Sequence, residues 1–103
     1  MRDLAASLGD GLSEVVEIYL EDTPNVLGNM QAALDRGDWQ ELQRLAHSLK
    51  SSSGIFGAQT MVALCIELEH CAETRSPRCD EPLTAVAREF DRLNQALSAY
   101  LHK

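Results

Sequence analysis

The apolar residues from Leu83 to Tyr100 recur in alternating steps of three and four. Leu83, Val86, Phe90, Leu93, Leu97 and Tyr100 therefore make one stripe along a helix, a seam that must pack against other helices. The same period governs most of the chain. Strand signals are nearly missing, with no alternating run of β-branched and aromatic residues and no Asn-Gly hairpin turn.

The punctuation divides the chain into helices. A short first helix is expected over residues 3–8, stopped by Gly9, with Asp10 capping the next. That next helix carries Leu12, Val15, Val16, Ile18 and Tyr19 on or near its buried side. Pro24 then kinks it or starts it afresh, because proline is tolerated in a first turn and disruptive in a helix interior. The continuation through Val26, Leu27, Met30, Ala33 and Leu34 ends at Gly37. Asp38 caps another helix, with Glu41 as its reciprocal capping partner and Trp39, Leu42, Leu45, Ala46 and Leu49 as its apolar set. A further helix begins around residues 57–59, places Met61, Leu64, Cys65 and Leu68 on one stripe, and stops at Ser76-Pro77. The last starts near residues 80–81, with Pro82 in its first turn.

Each helix has a single apolar stripe, so each needs the others to bury it. The expected fold is all-α, an antiparallel four-helix bundle with a short extra N-terminal helix, forming one domain over residues 1–103.

Charge narrows the function. Sixteen acidic residues against nine basic ones give a net charge of -7. Nucleic acid and anionic membranes are bound by basic faces, so neither is expected as a partner. No apolar run reaches the roughly 20 residues that span a bilayer. The first residues carry no apolar signal stretch, and a cytoplasmic location is expected. Cys65, Cys71 and Cys79 have no C-x-x-C spacing and read as free packing thiols.

The helix after Gly37 holds the most chemistry. A helix advances about 100° per residue, so with Leu42 at zero, Leu45, Ala46 and Leu49 fall within about 60° of it and His47 at about 140°. His47 thus stands on the solvent face, with Gln40, Gln43, Lys50, Ser51 and Gly54 roughly within 60° of it. A free imidazole titrates near about 6.5, so at cytosolic pH its lone pair is mostly available to a nucleophilic role. No carboxylate lies three before or four after His47 on its own helix. Lys50 can offer a point charge to phosphoryl oxygens. The small residues leave the ring open to an approaching protein. Geometry alone also allows a merely solvated histidine, the usual state of a surface imidazole.

Ala46-His47-Ser48-Leu49-Lys50, then small residues, Gly57-Ala58 and Leu64-Cys65-x-x-Leu68-Glu69 resemble the signature of histidine-containing phosphotransfer (HPt) domains of bacterial phosphorelays. The resemblance extends to Leu20-Glu21-Asp22-Thr23-Pro24, the Gly37-Asp38 turn and the last helix. It implies that His47 carries the phosphoryl group, on Nε2, and that Lys50 stabilises it. It implies a carrier without turnover of its own, taking the group from the aspartate of one response-regulator receiver domain and giving it to another. The Mg²⁺ belongs to the receivers, so no cofactor or metal is expected on this chain. Gln40, Gln43, Arg44, Ser51 and Gly54 are the expected partner contacts, with Leu12, Val15 and Tyr19 as possible additions from an adjoining helix. Such domains often end a hybrid sensor kinase. The domain is expected to be monomeric. Many relatives have glycine where this chain has Ser51, a residue that can make a hydrogen bond glycine cannot.

Other readings are weaker. A helical interaction domain with an incidental His47 is the alternative. Glu67, His70 and Cys71 share one side of a helix but lack further ligands for a metal. His102 reads as inert. Ser51-Ser52-Ser53 has no G-x-S-x-G elbow or acidic partner that would suggest a hydrolase.

Overall fold

A computed structural model describes the backbone of residues 2–55 and 57–101, and the side chains of residues 13–55 and 57–99. Four helices follow one another: α1 (Arg2–Asp35), α2 (Trp39–Gly54), α3 (Gln59–Glu73) and α4 (Asp80–Leu101), with no strand among the described residues. Neighbours pack in a ring, α1 on α2, α2 on α3, α3 on α4 and α4 back on α1. This is the antiparallel bundle that the stripes require. The molecule is 50 Å long, about the length of α1 at a rise of about 1.5 Å per residue. Among the described residues no helix is long and apolar enough to cross a membrane.

The expected short helix over residues 3–8 is not separate. It forms the first turns of α1, which runs unbroken past Gly9 and through Pro24 to Asp35. A glycine inside a helix costs only about 1 kcal/mol, too little to stop a helix by itself. Pro24 lies on the exposed side, where water can serve the Leu20 carbonyl that loses its N–H partner. The core stripe of Val16, Tyr19, Thr23, Met30 and Ala33 continues on both sides of it. Leu12, Tyr100 and His102 lie outside the described side chains.

Three inter-helix turns use one device, with a left-handed residue just past the helix. At Gly37 (φ 70°) the Gly37 N–H donates to Leu34 O at 3.1 Å and the Asp38 N–H to Ala33 O at 2.8 Å. At Gly57 (φ 66°) the corresponding acceptors are Gly54 O and Ser53 O. At Arg75 (φ 55°) they belong to Ala72 and, through the Ser76 N–H, Cys71. All three are Schellman turns that consume the orphan carbonyls of the preceding helix. Arg75 has a Cβ in a conformation that suits glycine. Arg75→Gly should therefore stabilise the chain by about 0.5–1 kcal/mol, an upward shift in the urea midpoint at constant slope.

The first turn also alters the cap. Asp38 accepts from the Glu41 N–H at 3.1 Å, as a cap should. Glu41 does not reciprocate, since the Asp38 N–H is already spent on Ala33 O. The Glu41 carboxylate instead accepts from Nε and Nη2 of the Arg44 guanidinium, at 2.6 and 2.7 Å.

The core joins Leu42, Leu45, Ala46 and Leu49 of α2 to Met61, Cys65, Leu68 and Ala72 of α3 and Leu83, Val86, Phe90 and Leu93 of α4. Tyr19 ties three helices together. Its hydroxyl bonds Ser53 Oγ at 2.8 Å, and its ring meets Phe90 at 6.2 Å between centroids, tilted by 58°. Cys65 and Cys79 are buried and Cys71 is half-buried. Burial pushes the Cys65 thiol up to about 12. It does the same to Cys79, to about 12, with the Cys71 thiol beside it adding to the shift.

Candidate functional site

His47 lies in the middle of α2, on the side away from Leu45, Ala46 and Leu49, and its side chain is 61% exposed. Placing it there is a local property of the helix. Its chemistry is set by a different helix. Glu69 of α3 brings Oε2 to 3.2 Å from His47 Nδ1 and Oε1 to 3.0 Å from Lys50 Nζ. One carboxylate therefore ties the imidazole to the ammonium. Lys50 is half-buried, at 27% exposure, so its charge is held beside the ring instead of swinging in solvent.

The Lys50 hydrogen bond holds the Glu69 carboxyl below the ordinary 4.5, and His47 adds to the effect. The carboxylate is thus ionised at neutral pH. It accepts from Nδ1–H, which fixes the neutral ring as the Nδ1–H tautomer. The Nε2 lone pair then faces outward, with no hydrogen bond to it among the described residues. An imidazole held in this way is a nucleophile at one defined atom.

The absence of a carboxylate partner on the histidine's own helix holds, but the expectation of a ring without one does not. Glu69 supplies it from 22 residues away in sequence. The signal for it was faint: Glu69 directly follows Leu68, at the edge of the buried stripe of α3.

Gln40, Gln43, Arg44, His47 and Glu69 line one shallow depression. Ser51 and Gly54 lie further along the exposed side of α2. The Ser51 hydroxyl donates to the His47 carbonyl at 3.2 Å, so its extra hydrogen bond is spent within the helix. A Cβ on Gly54 would meet nothing within 4 Å; the fold itself leaves this spot open.

On the other flank of α2, a groove runs between it and α1. Val15, Ile18 and Val26 form one wall, and Ser48, Ser52 and Ile55 the other. Val15 and Ile18 were expected near the buried side. Val15 is 39% exposed and Ile18 58%, and Ile55 across the groove is 68% exposed. They fall outside the arc of α1 that α2 and α4 cover. Among the described residues no three His, Cys, Asp or Glu side chains come together to hold a metal, and Glu67 and His70 are exposed on α3.

The sequence matches the model of the Hpt domain family over residues 14–101. It is 32% identical over 92 residues to histidine-containing phosphotransfer protein 2 of Arabidopsis thaliana, covering 85% of this chain and 59% of that protein. The chain thus spans under two thirds of the length of that relative. It is 30% identical over 92 residues to the phosphorelay protein LuxU of Vibrio vulnificus, covering 89% of this chain and 78% of LuxU. In three dimensions it resembles histidine-containing phosphotransfer protein B of Pseudomonas aeruginosa. The TM-score is 0.89 at 26% identity, over 98% of this chain and 89% of that one.

Proposed function

The chain belongs to the Hpt domain family, and from that premise we propose that it is a phosphorelay carrier whose phosphoacceptor is Nε2 of His47. The observation that carries this reading is the fixed ring: Nδ1 is engaged by an ionised carboxylate while the other nitrogen faces solvent.

The transfer follows from that geometry. Nε2 attacks the phosphorus of an aspartyl phosphate on a receiver domain. The N–P bond forms as the bond to the aspartyl oxygen breaks, and the receiver's carboxylate leaves. No proton has to depart, because Nε2 carried none. The ring becomes cationic, and Glu69, still accepting from Nδ1–H, stabilises that charge. Lys50 stands close enough to balance the phosphoryl oxygens. Run backwards toward a second aspartate, the same contacts serve the discharge. Mg²⁺ and the aspartates are the receivers' contribution, and this chain acts as a monomer without turnover of its own. The cytoplasm, where receivers work, is its proposed location, either free or as the end of a hybrid sensor kinase. Gln40, Gln43, Arg44, Ser51 and Gly54 are the proposed contacts around the ring, and Val15 adds one from α1.

The test is phosphotransfer profiling with receiver domains loaded from acetyl phosphate and Mg²⁺. The label on this chain should be lost in acid and kept in base, as an N–P bond requires. A helical scaffold with an incidental histidine would take no label from receivers, and that result would reject the proposal. Lys50→Ala should slow transfer about tenfold, the loss of about 1.4 kcal/mol of transition-state stabilisation. Its melting should change little, since a partly exposed ion pair contributes at most about 1 kcal/mol. A large fall in melting temperature would make Lys50 structural.

A further inference from the structure

The turn between α3 and α4 has a cysteine at each end. Cys71 lies in the last turn of α3, and Cys79 directly precedes Asp80, the first residue of α4. Ser76, between them, ties both backbones together. Its N–H donates to Cys71 O at 3.1 Å, and its carbonyl accepts from the Cys79 N–H at 3.3 Å. Its hydroxyl accepts from the Arg78 N–H at 3.2 Å, which tightens the turn further. Cys79 belongs to the buried core cluster and Cys71 packs against that cluster. The two side chains thus meet on the inner side of the turn, thiol hydrogen-bonded to thiol. Cys65 stands apart, about 240° round α3 from Cys71, with Glu69 and Lys50 as its charged neighbours.

We infer that Cys71 and Cys79 form a reversible oxidation site, at which hydrogen peroxide converts the two thiols to an intrachain disulfide that latches the end of α3 to the start of α4. The inference does not depend on the carrier reading. Cys71 is the thiol that solvent reaches, while Cys79 is fully buried, so Cys71 meets the oxidant first. Its thiolate attacks one peroxide oxygen. The S–O bond forms, the O–O bond breaks, and hydroxide leaves to take up the proton that the thiol released. The Cys79 sulfur then attacks the Cys71 sulfur. The S–S bond forms, the S–O bond breaks, and the hydroxyl departs with the Cys79 proton as a second water. The two sulfurs lose two electrons between them, and the peroxide is reduced to water. Because the hydrogen-bonded turn already holds both cysteines, closure needs little backbone movement, and a disulfide depends on that. Burial and the neighbouring thiol push Cys79 up to about 12. So weak an acid is a poor leaving group, and a reductant that attacks the reachable Cys71 sulfur reopens the bond slowly. The bridge closes a loop of nine residues, 71–79, and restricts the unfolded chain accordingly. Glu69 lies about 200° round α3 from Cys71, so the latch steadies the helix that carries Glu69 without touching the surroundings of His47.

The test exposes the full chain to hydrogen peroxide, alkylates the remaining thiols after unfolding, and maps the cysteines by mass spectrometry. Arg75 and Arg78 let trypsin cut between the two. Residues 51–75 should be found joined to residues 79–88, with Cys65 alkylated and the link reversed by dithiothreitol. The oxidised chain should melt about 10 °C above the reduced one. Cys65→Ala should form the same bridge. Cys71→Ala, at a half-buried position, should form none and should melt at one temperature with or without peroxide. A bridge to Cys65, disulfide-linked dimers, or Cys71 carried on to the sulfinic acid without a bridge would overturn the inference. So would a bridged chain that melts with the reduced one or below it.

Discussion

His47→Gln should take up no phosphate from any receiver, while folding as the parent does. Glutamine has no nucleophilic nitrogen, so the expected loss is complete and not a matter of degree. Its amide can still donate toward Glu69, which keeps that carboxylate from losing a partner. The parent side chain is 61% exposed and outside the core, and surface changes of this kind usually stay within about 0.5 kcal/mol. Paired thermal melts and acid-lability assays of the phosphate check both halves. Label on the glutamine variant at the parent's level would move the phosphoacceptor elsewhere and remove the basis of the proposed function.

The largest effect on stability is expected from Leu68→Ala. Leu68 is fully buried on α3, in one cluster with Leu42 and Leu45 of α2 and Val86 of α4. Truncating a buried leucine costs about 2–5 kcal/mol, the transfer free energy of the lost atoms plus the cavity they leave. In a domain of this size each kcal/mol lowers the melting temperature by about 4–8 °C. A loss of at least about 8 °C is therefore the expected reading from calorimetry. Leu68 also precedes Glu69 on the same turn, so loosening it should weaken the hold on His47. Phosphotransfer by the variant, measured well below its melting temperature, should be slower than the parent's. A Leu68→Ala chain that melts with the parent would show that α3 is not held by this cluster.

The comparison of sequence with structure divides along a physical line. Period and punctuation gave α2, α3 and α4 nearly whole, because which residues share a face of one helix depends only on the turn of that helix. Reasoning of the same kind put His47 on the solvent side. It failed wherever the answer depended on a neighbour. Gly9 looked like an end, but one glycine costs a helix too little to stop it; Pro24 looked like another, yet the stripe from Val16 to Ala33 is buried as one unit across it, and packing outweighs the local preference. Val15 and Ile18 looked buried because they are apolar. Only the placement of α2 and α4 decided which arc of α1 is covered. Glu41 matched the capping-box spacing, but the turn before it had already consumed the donor it would have served.

By itself, the sequence determined the helices, their buried stripes and an exposed imidazole followed by a lysine, since each of these is a relation within one helix. The tertiary structure alone decided that this imidazole has a carboxylate on Nδ1, and so which nitrogen is free. Glu69 lies on another helix, and no periodicity connects two helices. Their side chains meet only when burial of the shared core brings α2 and α3 side by side.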